Sequence, residues 1–301
     1  MKQHKAFAQA GLFLNTLIWG ATFTIIKKAL DDVSRMMFVS TRFLFASLIM
    51  LPFFAAALFK ANAKQYKQAT ILGILMFIGY ITQTIGLMTT TATKSAFITG
   101  TFVIFTPIFQ TILEKRIPSV ANILAIVLAT IGVIFLSSKG LTLYAILRDI
   151  GSDFSFGDFL TLICAVSYAL YIVYLDMISE GSMDYKFLTY WQVIVTAGLS
   201  VLSVGLLHWS SLEPVRLTIS PLVISAILYT ALLATILTTT IQTKFQKAVS
   251  PVRASLIFSM EPIFAAAFAF FILQESISLF KFIGSGLIIS AVLLSEFLSQ
   301  E

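Results

Sequence analysis

Residues 256–271 read "LIFSMEPIFAAAFAFF": one carboxylate, Glu261, and one proline, Pro262, inside an otherwise apolar run. A run of this kind is long and greasy enough to belong to a bilayer-crossing helix, which needs about 20 apolar residues. An ionisable group at its middle is costly there and is kept for a reason. Whether the run crosses a membrane is decided by the rest of the chain. Of 301 residues, 58% are hydrophobic and only 11% are charged, with a mean hydropathy of +0.95. A soluble domain carries about 25% charged residues to cover its surface. This chain is therefore polytopic in a membrane.

Charges, prolines, glycines and polar clusters divide the sequence into ten apolar spans. They cover 6–26, 36–59, 69–88, 94–113, 119–137, 157–178, 186–207, 218–241, 252–273 and 278–298. The basic start (Lys2, His4, Lys5) leads into a full-length apolar span ending at Lys27 and Lys28, so it reads as a retained helix rather than a cleaved leader. The longest break, 138–156, separates residues 1–137 from 157–301 and is the expected linker between two five-helix units. Ser34, Asn62, Gly140 and the Gly151–Ser152 pair punctuate the loops. Lys and Arg favour the cytoplasmic flanks of spans. With both termini inside, that side holds more of them, Lys60, Lys64, Lys67, Lys115 and Arg116 included, than the outer side, which holds Lys27, Lys28, Arg35 and Lys94 among others.

The two halves resemble each other. Residues 94–137, opening "KSAFITG" and closing "LATIGVIFLS", align without gaps on 253–296, opening "RASLIFS" and closing "IISAVLLSE", at an offset of 159. Lys94 meets Arg253, Phe105 meets Phe264 and Val133 meets Val292. Two earlier matches, "IWGATF" (18–23) with "SYALYI" (167–172) and "FVSTRFL" (38–44) with "FLTYWQV" (187–193), share an offset of 149. A unit of five spans is odd-numbered, so its second copy must enter the membrane inverted. The expected fold is all-α, ten transmembrane helices as two inverted five-helix repeats. That arrangement gives many transporters two near-equivalent conformations, one open to each side.

These residues also carry a family resemblance. "WGATF" (19–23), "RFLFASLIMLP" (42–52), "TKSAFITG" (93–100), "MEP" (260–262) and "GSGLIISAVLLS" (284–295) follow one another in the order and spacing of the EamA family, within the drug/metabolite transporter superfamily, and the chain resembles it throughout. The resemblance implies ten helices in 5+5 repeats and transport of small metabolites, often export of amino acids or related compounds; the family includes an aromatic amino acid exporter. It also implies that spans one, three, four, six, eight and nine surround a central cavity. One departure stands out. In span four the proline of "FTP" (105–107) falls one turn later than that of "MEP", with no matching acid.

Polar side chains in a bilayer turn towards protein or a wet cavity, so polar stripes at helical spacing are informative. Asn15, Trp19 and Thr22 share a face of span one, and Tyr80 and Gln83 lie together on span three. Phe97, Thr101 and Phe105 line up on span four, Tyr168 and Tyr171 on span six, and Thr235, Thr239 and Gln242 on span eight. Phe258 and Glu261 do so on span nine. Together they make a candidate pocket of aromatic walls and neutral hydrogen-bonding groups. Helix packing is the competing role, since Ser and Thr bond readily to neighbouring backbones and Trp and Tyr often mark the interface.

Three readings of Glu261 compete. It is ionised and paired with a cation; or it is protonated and donates a hydrogen bond; or it exchanges a proton or binds a substrate ammonium during transport. Pro262 kinks the helix beside it and frees a carbonyl near Phe258. The obvious cation is Arg42, which lies about six residues (roughly 9 Å) inside the outer end of span two and could instead snorkel towards Asp31 and Asp32. Lys94 and Arg253, equivalent in the repeat, open spans four and nine on opposite faces and act as interface anchors or as gating charges.

Other functional classes fit poorly. The two histidines, His4 and His208, lie at helix ends, Cys164 is alone, and no metal-ligand spacing occurs, which argues against a catalytic or metal centre. A receptor would usually bring a sizeable domain outside the membrane, and no Walker-type loop supports a primary pump. The net charge of +6 sits at helix ends rather than on a continuous basic face, so nucleic acid is not an expected partner. The expected partners are a small-molecule substrate and lipid; proton coupling and a monomeric or oligomeric state stay open. No cofactor is expected. The expected location is a bacterial inner membrane with both termini in the cytoplasm. The membrane-enzyme and small-ligand-receptor readings remain the alternatives. In a Cys164→Ser background, single cysteines at Asn62 and Gly140 should react with impermeant thiol reagents from opposite faces; labelling from one face would disprove the ten-span count.

Overall fold

A computed structural model describes residues 2–137, 155–179, 183–275 and 279–298. Among them the regular structure is helical apart from one isolated bridge between Val33 and Leu217. Eight helices are long and apolar enough to cross a bilayer, and two shorter apolar ones, Val120–Phe135 and Leu279–Ser295, accompany them. The spans expected at 119–137 and 278–298 correspond to those two. Gly140 and the Gly151–Ser152 pair lie outside the described residues, as does most of the expected linker.

The first three spans are continuous: α1 (Lys2–Ala29), α2 (Arg35–Leu58) and α3 (Ala63–Gly86). Asn62 starts α3 with a capping box, its side chain accepting from the Gln65 amide while the Gln65 side chain accepts from the Asn62 amide. The fourth span is interrupted. It comprises α4 (Ala92–Gly100) and α5 (Phe102–Glu114), joined at Thr101. Next come α6 (Val120–Ser137), α7 (Phe156–Ser179) and α8 (Tyr185–Trp209). The eighth span is composite: α9 (Pro221–Leu228), a π-helical stretch over Tyr229–Leu237, α10 (Thr238–Phe245) and a 3₁₀ turn over Gln246–Ala248. The ninth span is broken as well, into α11 (Pro251–Phe258) and α12 (Glu261–Leu273), and α13 (Leu279–Leu298) follows.

The break in the ninth span goes further than the kink expected from Pro262. The helix stops at Phe258, turns through Ser259 and Met260, and restarts with Pro262 in its first turn, where a missing backbone donor costs nothing. Span four breaks at the position equivalent to Met260, Thr101, although no proline stands there. Its Pro107 lies inside α5. The correspondence extends to both ends of these spans. Thr91 and Ser250 cap them through their side chains, accepting from the Lys94 and Arg253 amides. Lys115 and Gln274 close them in the left-handed conformation, at φ 57° and 56°. The two interruptions also touch: a Cβ on Gly100 would lie 2.9 Å from Pro262 Cγ. A Cβ on Gly20 would stand 2.6 Å from Phe264 Cβ and 3.1 Å from the Glu261 carbonyl oxygen. Glycine is thus what lets α1 close on the start of α12, the usual device for tight approach in membranes.

The π stretch explains Arg42. A π turn displaces backbone carbonyls from their regular partners, and such bulges are frequent at functional positions. Arg42, 2% exposed, donates from Nη2 to the Ala234 carbonyl and from Nε to Thr235 Oγ1, both at 2.8 Å. Its guanidinium carbon sits 4.4 Å from the Tyr80 ring centroid. It therefore neither pairs with Glu261 nor snorkels towards Asp31 and Asp32; its donors are engaged by Ala234 and Thr235 on span eight instead. Arg42→Met should remove both buried contacts to Ala234 and Thr235 and lower stability by about 1–3 kcal/mol, read as a lower unfolding midpoint in detergent. Arg42→Lys should recover only part of the loss, because one ammonium cannot reproduce the two-pronged contact.

Candidate functional site

The break in span nine places Glu261 beside a cavity of about 60 Å³, space enough for water molecules, bounded by spans one, three, four, six, eight and nine. Eight residues expected at the site line it: Trp19, Thr22, Tyr80, Gln83, Tyr168, Tyr171, Thr239 and Glu261. Gln242, on the same stripe as Thr239, lines it too.

Six expected lining residues do not reach it, for distinct reasons: Asn15, on the stripe of Trp19 and Thr22, donates instead to the Thr238 carbonyl. Phe97 turns the other way and packs with Ile98, Val133, Ala266 and Ile288. Thr101 sits at the helix break, its hydroxyl donating to the Ile98 carbonyl. Phe105 packs against the central apolar cluster. Thr235 accepts from Arg42. Phe258 lies behind the wall, its ring 5.3 Å from that of Trp19, and Pro262 packs against Gly100. In their place are Leu75, Met76, Gly79, Thr99 and Cys164. Thr99 takes the place of Thr101 because span four is interrupted immediately after Gly100, and Cys164 lies one turn before Tyr168 on the same face.

The aromatic wall is built edge to face. Trp19 meets Tyr168 at 5.7 Å and 89°, and Tyr168 stacks on Tyr171 at 5.8 Å and 11°. Most polar groups around the cavity are already engaged with protein. Trp19 Nε1 donates to Thr238 Oγ1 at 3.1 Å, and Gln83 Nε2 donates to Thr99 Oγ1 at 3.2 Å. The Tyr171 hydroxyl donates to Gln192 Oε1 at 2.8 Å, and Gln192 Nε2 donates on to Thr243. A relay runs from the cavity along span eight: Tyr168 to Gln242 at 3.3 Å, Gln242 to Gln246 at 2.8 Å, and Gln246 to the Ile172 carbonyl at 2.7 Å. Glu261 differs. It is 6% exposed, and among the described residues its carboxylate makes no hydrogen bond and no ion pair. Tyr80, Cys164 and Tyr168 are the ionisable groups near enough to feel its charge.

The two ends of the bundle close differently. Where α1 ends, Lys94 Nζ lies 2.7 Å from Asp158 Oδ2 at the start of α7. There Lys27 Nζ donates to the Leu87 and Thr90 carbonyls at 2.6 Å, and Thr93 donates to Glu275. At the end where α1 begins, the Gln242–Gln246 relay lies beside the cavity, and Asp176 near the end of α7 and Arg253 at the start of α11 are both buried and both engaged. Lys94 and Arg253 thus occupy equivalent sequence positions at opposite ends of the bundle. No cluster of His, Cys, Asp and Glu among the described residues could hold a metal ion.

The profile of the EamA-like transporter family matches residues 7–138 and again 155–297. The chain belongs to the EamA-like transporter family. An uncharacterized transporter of Archaeoglobus fulgidus is 32% identical over 290 residues, spanning 96% of this chain and 86% of that protein. A second uncharacterized transporter of the same organism is 26% identical over 165 residues, 54% of this chain and 55% of the relative. A crystal structure superposes with a TM-score of 0.73 at 14% identity, covering 98% of this chain and 99% of the other; at that identity the likeness concerns the fold. As a member of this family, the chain is an integral membrane transporter, which points away from the enzyme alternative.

The closure at the α1 C-terminal end gives this EamA-family protein a local test. Lys94→Met strands the buried Asp158 carboxylate, an unfavourable state that opening this end to water relieves. Cys164 should then react faster with a water-soluble thiol reagent than in the parent protein; an unchanged or slower rate would remove the ion pair from the closure.

Proposed function

We propose that this chain is a secondary-active permease moving a small amphipathic metabolite, of the amino acid and amine class, by alternating access between two inverted five-helix repeats. The observation that carries the proposal is the aromatic-walled cavity beside the facing interruptions of spans four and nine. Non-helical backbone at membrane depth is tolerated only where protein or a cavity covers it, and transporters use broken helices to build sites near the midplane.

Several features support the inverted arrangement. Span one ends, and span six begins, at the same end of the bundle, because Lys27 bonds to the carbonyls of Leu87 and Thr90 while Lys94 pairs with Asp158 close by. The first spans of the two halves therefore run in opposite directions. The caps, breaks and left-handed ends of spans four and nine correspond residue by residue at the repeat offset. Export from the cytoplasm across a bacterial inner membrane, with both termini inside, is the working orientation.

Purified protein in proteoliposomes, preloaded in turn with unlabelled amino acids, nucleobases and amines, should accumulate at least one labelled member of the panel by counterflow, without chemical change. Absence of exchange for every class, or chemical conversion of the solute, would reject the permease reading.

A further inference from the structure

Glu261 has a cavity in front of it and no partner within it. Every other group with a formal charge near this depth is committed elsewhere. Arg42 stands behind Tyr80 and gives its guanidinium to Ala234 and Thr235. Lys94 is held by Asp158 at one end of the bundle, and Arg253 lies at the other, in the first turn of α11. Among the described residues, Glu261 is thus the one carboxylate lining the cavity, and no Lys or Arg lines it.

A bare carboxylate at half depth in a bilayer is costly, so the site is complete only when a cation or a proton neutralises it. The surrounding wall selects between solutes. Trp19, Tyr168 and Tyr171 offer aromatic surface, which attracts an ammonium through the ring quadrupoles as well as packing an apolar body. A carboxylate on the solute would find little. The indole N–H of Trp19, the amides of Gln83 and Gln242 and the hydroxyls of Tyr168 and Tyr171 all donate to protein acceptors. It would also face Glu261 as a like charge.

We propose that Glu261 is the charge-recognition residue of the transport site and that the solute is a monocationic organic amine with an aromatic or apolar body and no free carboxylate. This rests on the permease reading above and narrows its substrate class. Amine and proton then compete for the same carboxylate. The ionisable groups facing it are the neutral side chains of Tyr80 from span three and of Cys164 and Tyr168 from span six. Spans one and four contribute Trp19, Thr22 and Thr99, which do not titrate in the working range.

Three solutes with the same ring and chain length separate the charge types: phenethylamine, L-phenylalanine and 3-phenylpropionate. In counterflow with the full chain, corrected for protein-free vesicles, phenethylamine should exchange at least about tenfold faster than either of the others, equivalent to about 1.4 kcal/mol of discrimination. It should also be the one that slows N-ethylmaleimide modification of Cys164, the single cysteine of the chain. Glu261→Gln should abolish both effects, whereas Glu261→Asp, which keeps the charge, should retain part of them; the elution volume and unfolding midpoint of each variant report its folding. Exchange of phenylalanine as fast as the amine, or an unchanged amine rate in Glu261→Gln, overturns the inference. If a non-amine solute exchanges and the amine does not, the permease reading stands and the amine inference falls; if nothing exchanges or protects, both fall.

Discussion

A polar group inside a bilayer has no water to turn to, and this one constraint organises the molecule. Two spans are interrupted at mid-depth, and their breaks are covered by one another through Gly100 and Pro262. A third span unwinds into a π stretch whose Ala234 carbonyl is met by Arg42, a charge that would otherwise be as costly as the carbonyl it satisfies. Glutamines 242, 246, 83 and 192 each spend their amides on one another, on threonines or on backbone. Against these engaged groups, the carboxylate of Glu261, which borders the cavity and has no protein partner among the described residues, becomes informative.

The same accounting separates structural polarity from functional polarity. Thr235 and Thr239 sit one turn apart on one helix and look alike in sequence. Thr235 accepts from the arginine that holds the π stretch, while Thr239 borders the cavity. Arg42 and Glu261 look like natural partners, yet each has a separate setting: one is enclosed by acceptors and an aromatic ring, the other faces open space. Close helix approach makes this possible. Without a side chain at Gly20, α1 lies against the first turn of α12 and holds Glu261 in position beside Trp19 and Thr22.

The closures of the bundle follow from chemistry as well. An ion pair with a fully buried carboxylate, Lys94 with Asp158, is strong while dry and unfavourable once a partner is withdrawn. The glutamine relay at the other end changes no charge when it rearranges.

Much of this was legible in the sequence. Composition alone required a membrane, since so few charges cannot cover a soluble surface. Apolar run lengths located the spans to within a few residues for most helices, and the gapless match of 94–137 to 253–296 identified the half in which Lys94 and Arg253, Thr101 and Met260, and Lys115 and Gln274 prove equivalent. Helical spacing found most of the cavity wall, because polar side chains in apolar spans have few places to go. What the sequence left open was decided by contacts between distant residues. The π stretch has no sequence signature, so neither the engagement of Arg42 nor the diversion of Thr235 could be read from spacing. The break at Thr101 carries no proline and turns Phe97 and Phe105 away from the cavity, bringing Thr99 in. A periodic pattern fixes which residues share a helix face; only the packing of helices against one another, and the hydrogen bonds that their buried polar groups find there, fix what that face meets.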